Sequence, residues 1–198
     1  MSAFDATRLV TSRLRLRLRP LHEADAQALL EIFSDARVMR YWSAPPWAAI
    51  ERAQAAIALD REAHAEGRHL RLGLERRDDG VLIGTCMLFN LYRQCRRAEV
   101  GFGLHAAAWG RGYMHEALVA LIDHAFGAPD LNRVEADTDP RNRDAIASLE
   151  RLGFVREGLL RERWVVDGDV SDSAFFGLLR AGWRHGGAPA GPAPATTP

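Results

Sequence analysis

The sequence contains no lysine; its 26 Lys-or-Arg positions are all arginine. That excludes a lysine Schiff base or a lysine general base. Asp and Glu also number 26, so the formal charge is zero, which argues against a broad nucleic-acid or anionic-membrane binder. Only two cysteines occur, Cys86 and Cys95. A hairpin would let them face each other, but two thiols in a chain of this size, with no signal peptide, are expected to stay reduced. No Cys-x-x-Cys or His-x-x-x-His spacing occurs and the histidines are scattered, so no metal site is expected. No apolar run is long enough to span a bilayer, and no hydrophobic leader segment follows Met1. The expectation is a cytoplasmic protein with neither a membrane nor a nucleic-acid partner.

What is present is an ordinary globular composition, 47% apolar and 26% charged over 198 residues. That is enough chain to bury one core. A single domain is expected over residues 1–185. Residues 186–198 contain only Gly, Ala, Pro and Thr, which cannot bury anything, so a disordered tail is expected there.

The chain opens with strict alternation in Thr11-Ser-Arg-Leu-Arg-Leu-Arg-Leu-Arg19, a strand with leucines inward and a solvated row of arginines. Pro20 stops it. From His22 to about Ser34 apolar residues recur at helical spacing. Residues 38–47 then read as a loop holding Tyr41, Trp42, Pro45, Pro46 and Trp47. Aromatic loop residues of this kind either line a small-molecule or peptide site or pack a helix corner. A helix over 47–66 follows. Strands over 70–75 and 81–89 flank a turn containing Asp79-Gly80. After a polar loop, 90–97, come a strand over 98–105, a helix over 112–126, a strand over 133–137 and a helix over 143–152 closed by Gly153. A hairpin, 154–166 and 171–179, turns on Asp167-Gly168-Asp169. Strands in antiparallel runs, mixed with crossover helices, indicate an α+β domain with a mixed sheet.

The chain is organised around residues 99–118. Val100, Phe102 and Leu104 alternate as a strand, and Gly110-Arg111-Gly112 opens a helix. Such a turn suits phosphate, because glycines allow close approach and first-turn N–H groups lack helical partners. A turn glycine with a helix cap is the plainer alternative. A third glycine at dinucleotide-fingerprint spacing is missing, as is any Gly-Lys-Ser/Thr.

Taken together, several pieces of text resemble the GNAT superfamily of acyl-CoA N-acyltransferases. They are Thr11-Ser-Arg-Leu-Arg-Leu-Arg17, Ala98–Phe102, Trp109-Gly-Arg-Gly-Tyr113, Asp139-Pro-Arg-Asn142, Leu152-Gly-Phe154 and Arg156-Glu-Gly158. The nearest branch is the ribosomal-protein N-terminal acetyltransferase type, RimJ/RimL-like. The resemblance spans about residues 7–180. It implies a mixed, mostly antiparallel sheet of about seven strands flanked by about four helices, with strands 98–105 and 133–137 splayed apart. It further implies acetyl-CoA as co-substrate, no metal, a primary amine acceptor (a protein N-terminus or a small molecule), direct attack in a ternary complex, and a monomer or homodimer. A non-catalytic acyl-CoA sensor or partner subunit is the alternative.

On this resemblance, pantetheine amides meet the backbone at about Leu104 and His105, and an N–H near Phe102–Leu104 polarises the thioester. The pyrophosphate lies on Trp109, Gly110, Arg111, Gly112, Tyr113 and Met114, and Asn142 hydrogen-bonds the pantetheine. Glu99 is the candidate base, through a water, unless it merely pairs with Arg96 or Arg97; Glu135 is a second candidate. Many members place a Tyr where this chain has Leu149. Neighbouring Ser148 is therefore the candidate acid, with water as the alternative. Tyr41, Trp42 and Trp47 are the candidate acceptor residues.

Overall fold

The computed structural model describes residues 15–127 and 131–184. Seven strands form one sheet: β1 (Leu16–Arg19), β2 (Leu70–Arg76), β3 (Leu82–Tyr92), β4 (Arg97–Leu104), β5 (Arg133–Thr138), β6 (Val155–Val166) and β7 (Asp169–Leu179). Their spatial order is β1-β2-β3-β4-β5-β7-β6. Every neighbouring pair is antiparallel except β4 with β5. The helices are α1 (Ala26–Ser34), the single-turn α2 (Ala36–Met39), α3 (Ile50–Ala65), α4 (Tyr113–Gly127) and α5 (Arg143–Arg151). The predicted tail and residues 11–14 of the first strand lie outside the described residues.

Alternation decides which side each residue serves. Leu16 and Leu18 point into the main core, which also takes Leu70, Leu72, Leu74, Leu88, Val100, Val134 and Phe176 beneath α4. On the opposite face α1, α2 and α3 close a smaller core around Leu29, Ile32, Phe33, Met39 and Ile57. The arginine row of β1 is ion-paired. Arg17 and Arg19 both meet Glu75, and Arg19 also grips Asp25 through two bonds of 2.7 and 2.8 Å.

Three expectations are revised. The first helix opens with a 3-10 turn at Glu23–Asp25, because Asp25 is turned inward to Arg19. The loop predicted at 38–47 begins inside a helical turn, Ala36–Met39, capped by the Asp35 side chain; this places Val38 and Met39 in the smaller core. The loop predicted at 90–97 is shorter, since β3 runs on to Tyr92 and a 3-10 turn over Arg93–Cys95 links it to β4. Cys86 is buried on β3 opposite Phe102, whereas Cys95 is exposed on that turn; both are free.

Candidate active site

Three residue pairs hold β4 to β5: Arg97 with Arg133, Ala98 with Val134, and Glu99 with Glu135. Beyond them the two parallel strands separate. The His105 N–H bonds the Ile83 carbonyl at 2.8 Å, which sets the phase of the β3–β4 ladder. Alternation then turns the backbone groups of Val100, Phe102 and Leu104 toward the gap. His105 therefore has its N–H committed to β3, and Phe102 and Leu104 are the β4 positions facing the gap. The Leu104 carbonyl already accepts the indole N–H of Trp109 at 2.8 Å.

The gap opens into a cleft of about 460 Å³. Its walls are β4 at Val100–Phe102, β5 at Ala136–Thr138, the cap residue Asn142 with Ala145 and Leu149 of α5, the α2–α3 segment, and the far end of the β6–β7 hairpin. Tyr41 and Trp42 line it. Trp47 does not: its ring stacks at 4.8 Å on Phe33, and its N–H bonds the Phe33 carbonyl. Trp42 also meets Phe33 edge-on, at 5.2 Å. The loop thus packs a helix corner through Trp42 and Trp47, while Tyr41 and Trp42 also face the cleft.

At the end of β4, Gly110 and Gly112 adopt φ of +71° and +76°, the left-handed region that glycine enters without strain. The turn leads into α4. Among the described residues no acceptor takes the backbone N–H groups of Gly110, Arg111, Gly112, Tyr113 or Met114, and nothing lies within 4 Å of a Cβ built on Gly110. Five unspent donors around an open turn at the N-terminus of a 15-residue helix fit a diphosphate. Arg111 is exposed beside them.

Asp139-Pro-Arg-Asn142 braces itself. Asp139 accepts from the Arg141 N–H at 2.8 Å and from its guanidinium, and Arg141 lies 6.0 Å from the Tyr41 ring. Hydrogen bonds from Arg141 hold the Asp139 carboxyl below its usual range against the opposing effect of burial. The Asn142 side-chain oxygen caps α5 through the Ala145 N–H at 3.2 Å. Its amide N–H₂ therefore remains the group presented to the cleft.

Glu99 does not pair with Arg97, which instead bonds Glu135 at 2.6 Å. Glu99 accepts from the Asn90 amide at 3.0 Å. It stands at the last β4–β5 pair and lines a neighbouring groove of about 810 Å³, with Phe89 bordering both groove and cleft. Glu135 is buried and held by Arg97 and Arg133. Ser148 sits on α5 off the cleft wall; its hydroxyl donates to the Asp144 carbonyl at 2.8 Å.

The sequence reading missed Asp137 and Trp164. Asp137 lies in the cleft, and its Oδ2 accepts from Ser173 Oγ at 2.8 Å, Trp164 Nε1 at 3.2 Å and Arg163 Nε at 3.2 Å. Its place in the text, two residues after Glu135 on the same face of β5, was a usable signal. Trp164 was not legible, because it reaches the cleft through a bulge between Leu160 and Trp164, where Glu162 takes φ +51°. Among the described residues no group of His, Cys, Asp or Glu is placed to hold a metal ion, and no helix is long and apolar enough to cross a membrane.

Residues 15–155 match the acetyltransferase (GNAT) domain family. The chain is 34% identical to uncharacterized N-acetyltransferase p20 of Bacillus licheniformis over 172 residues, 87% of this chain and 96% of that protein. It is 28% identical to the [ribosomal protein uS5]-alanine N-acetyltransferase of Escherichia coli over 188 residues, covering 90% and 94%. The structure of Mycobacterium smegmatis RimJ in complex with CoA-disulfide superposes with a TM-score of 0.73 at 26% identity, covering 83% of this chain and 85% of that one. The chain therefore belongs to the GNAT family as an N-acetyltransferase of the RimJ/RimL-like branch.

Proposed function

We propose that the protein transfers an acetyl group from acetyl-CoA to a primary amine by direct attack within a ternary complex. The observation carrying this reading is the joint presence of the split between β4 and β5 and the unspent N–H groups of Gly110–Met114 at its mouth. Bound there, acetyl-CoA supplies a thioester whose carbonyl carbon accepts the amine and whose sulfur leaves as thiolate.

The chain's own residues do the rest. The turn from Gly110 to Met114 seats the pyrophosphate, with Arg111 adding charge; Trp109, expected to join it, has its backbone N–H committed to the Ala106 carbonyl at 3.2 Å. The gap-facing backbone of Phe102, the Leu104 N–H and the Asn142 amide hold the pantetheine as an extra rung. A β4 N–H facing the gap polarises the carbonyl oxygen. Tyr41, Trp42 and Trp164 wall the acceptor side, and Asp137 offers a carboxylate to an incoming ammonium. Glu99 takes the amine's proton through a water, with Asn90 orienting the carboxylate. Fixing both reactants along the split contributes through proximity, since well-oriented groups reach effective concentrations far above those in solution. The acceptor is a protein N-terminus or a small-molecule amine, met in the cytoplasm by a monomer or homodimer.

The test is thermal unfolding with and without acetyl-CoA and free CoA, for wild type and Gly112→Trp, followed by thioester loss with an alanine-initiated peptide and with spermidine. Wild type is expected to melt higher with either ligand, and Gly112→Trp, which fills the turn, to lose the shift. A wild type unmoved by saturating acetyl-CoA overturns the reading.

A further inference from the structure

The glycine turn that would take the anion has little of its own to hold it, and the residue that steadies it comes from the other end of the chain. Arg15 directly precedes β1 and lies 96 residues from Arg111 in sequence. Its Nη2 donates to the Arg111 carbonyl at 2.9 Å. Its Nε meets both oxygens of Glu116 at 3.1 and 3.2 Å. Its guanidinium carbon sits 4.6 Å from the centre of the Tyr113 ring, which is itself 9% exposed and fixed in the main core. A planar fork anchored at three points has a defined orientation, unlike a free surface arginine.

The consequence follows from peptide geometry. The Arg111 carbonyl and the Gly112 N–H belong to one planar trans peptide and point in opposite directions. Gly112 has φ +76° and its own carbonyl accepts the Glu116 N–H at 3.2 Å, whereas among the described residues the partner of the Arg111–Gly112 peptide is Arg15, so that hydrogen bond sets how the peptide is turned. Holding its oxygen toward Arg15 directs its N–H away from β1. We propose that Arg15 is a positioning residue for the phosphate-binding turn: by gripping the Arg111 carbonyl it aims the Gly112 N–H into the anion seat. Arg15 also neutralises Glu116, whose carboxylate in the first turn of α4 would otherwise repel a phosphate. The inference rests on the reading that this turn takes the pyrophosphate of CoA.

The test is calorimetric titration of CoA, and separately of pantetheine, which lacks the pyrophosphate, into wild type, Arg15→Met, Arg15→Lys and Arg15→Met with Glu116→Gln. Aiming one N–H at a charged oxygen corresponds to about tenfold in affinity. Arg15→Met is expected to weaken CoA by about that factor and to leave pantetheine unchanged. Arg15→Lys keeps the charge beside Glu116 but not the fork, so it should recover only part. Equal weakening of CoA and pantetheine would make Arg15 a purely structural residue and overturn the proposal; so would unchanged CoA affinity in Arg15→Met. Full recovery in the double variant would assign the whole effect to the bare Glu116 charge and overturn the aiming. If wild type itself holds CoA no more tightly than pantetheine, the seat is wrongly placed, and the proposal falls with that reading rather than by itself.

Discussion

Replacing Asp137 by alanine tests whether the far wall of the cleft hangs on one carboxylate. Three donors converge on its Oδ2, but they do not count equally. Arg163 and Trp164 are more than a third exposed, so water replaces the lost acceptor and their share is close to nil. Ser173 is 0% exposed and donates at 2.8 Å; without Asp137 its hydroxyl is left buried and unpaired. Such an orphan costs about 1–3 kcal/mol, and for a domain of this length each kcal/mol lowers the melting temperature by roughly 2–4 °C. Asp137→Ala should therefore melt lower by about 4–8 °C in a thermal scan, near the middle of that range. Asp137→Ala with Ser173→Ala removes donor and acceptor together and should recover most of the loss, a coupling that a double-mutant cycle reads directly. Acceptor KM should rise in the single variant, because Trp164 loses its tether. A single variant melting within a degree of wild type, or a double variant showing only the sum of two independent losses, would refute the reasoning.

Other consequences are open to measurement. Glu99→Gln keeps the shape and the Asn90 contact but cannot take a proton; kcat should fall by about 10²–10⁴-fold while the affinity for CoA, measured by titration, stays at the wild-type value. Burial pushes the Cys86 thiol up to about 12, and Cys95 is exposed. A thiol reagent should label one cysteine quickly in native protein and the second only on unfolding. Acid should weaken the fold through carboxyls held below their usual range. Hydrogen bonds from Arg37 lower Asp35 to about 2, and those from Arg133 lower Glu157. Burial would raise Asp25, but Arg19 and the His22 N–H outweigh it. Since these pKa values are depressed in the folded state, the stability they carry is complete above the ordinary carboxylate range, about pH 4, and fades as pH falls through the folded values. Urea midpoints should be flat from pH 7 to 5 and drop toward pH 3.

The sheet was legible because its strands announce themselves locally. Leu16-Arg-Leu-Arg19, Asp79-Gly80 and Asp167-Gly168 carry alternation and turn chemistry within a few residues, and all three became strand or hairpin. The glycine turn was legible for the same reason. Side-chain partners were not, since they depend on elements far apart in sequence. Nothing in the text shows that Glu99 would meet Asn90 rather than Arg97, that Trp47 would be spent on Phe33, or that the Ser148 hydroxyl would turn back to Asp144. The bulge that delivers Trp164 interrupts the alternation that a strand reading relies on. Text periodicity thus recovers what backbone geometry dictates, and misses what tertiary competition for hydrogen bonds decides.

The short seam between β4 and β5 also bears on how the molecule opens. Three pairs join these strands, whereas β5 is joined to β7 through six. Mechanically the sheet is two plates, β1 to β4 and β5-β7-β6, meeting at a hinge line reinforced by the 2.6 Å contact between Arg97 and Glu135. With so short a seam, the amides of β5, β7 and β6 are expected to exchange through local opening below the free energy of global unfolding. A molecule lying along the split adds the rungs that the sequence leaves out. It turns two plates into one, so amide protection of β5 and β7 should rise on binding more than that of β1 and β2.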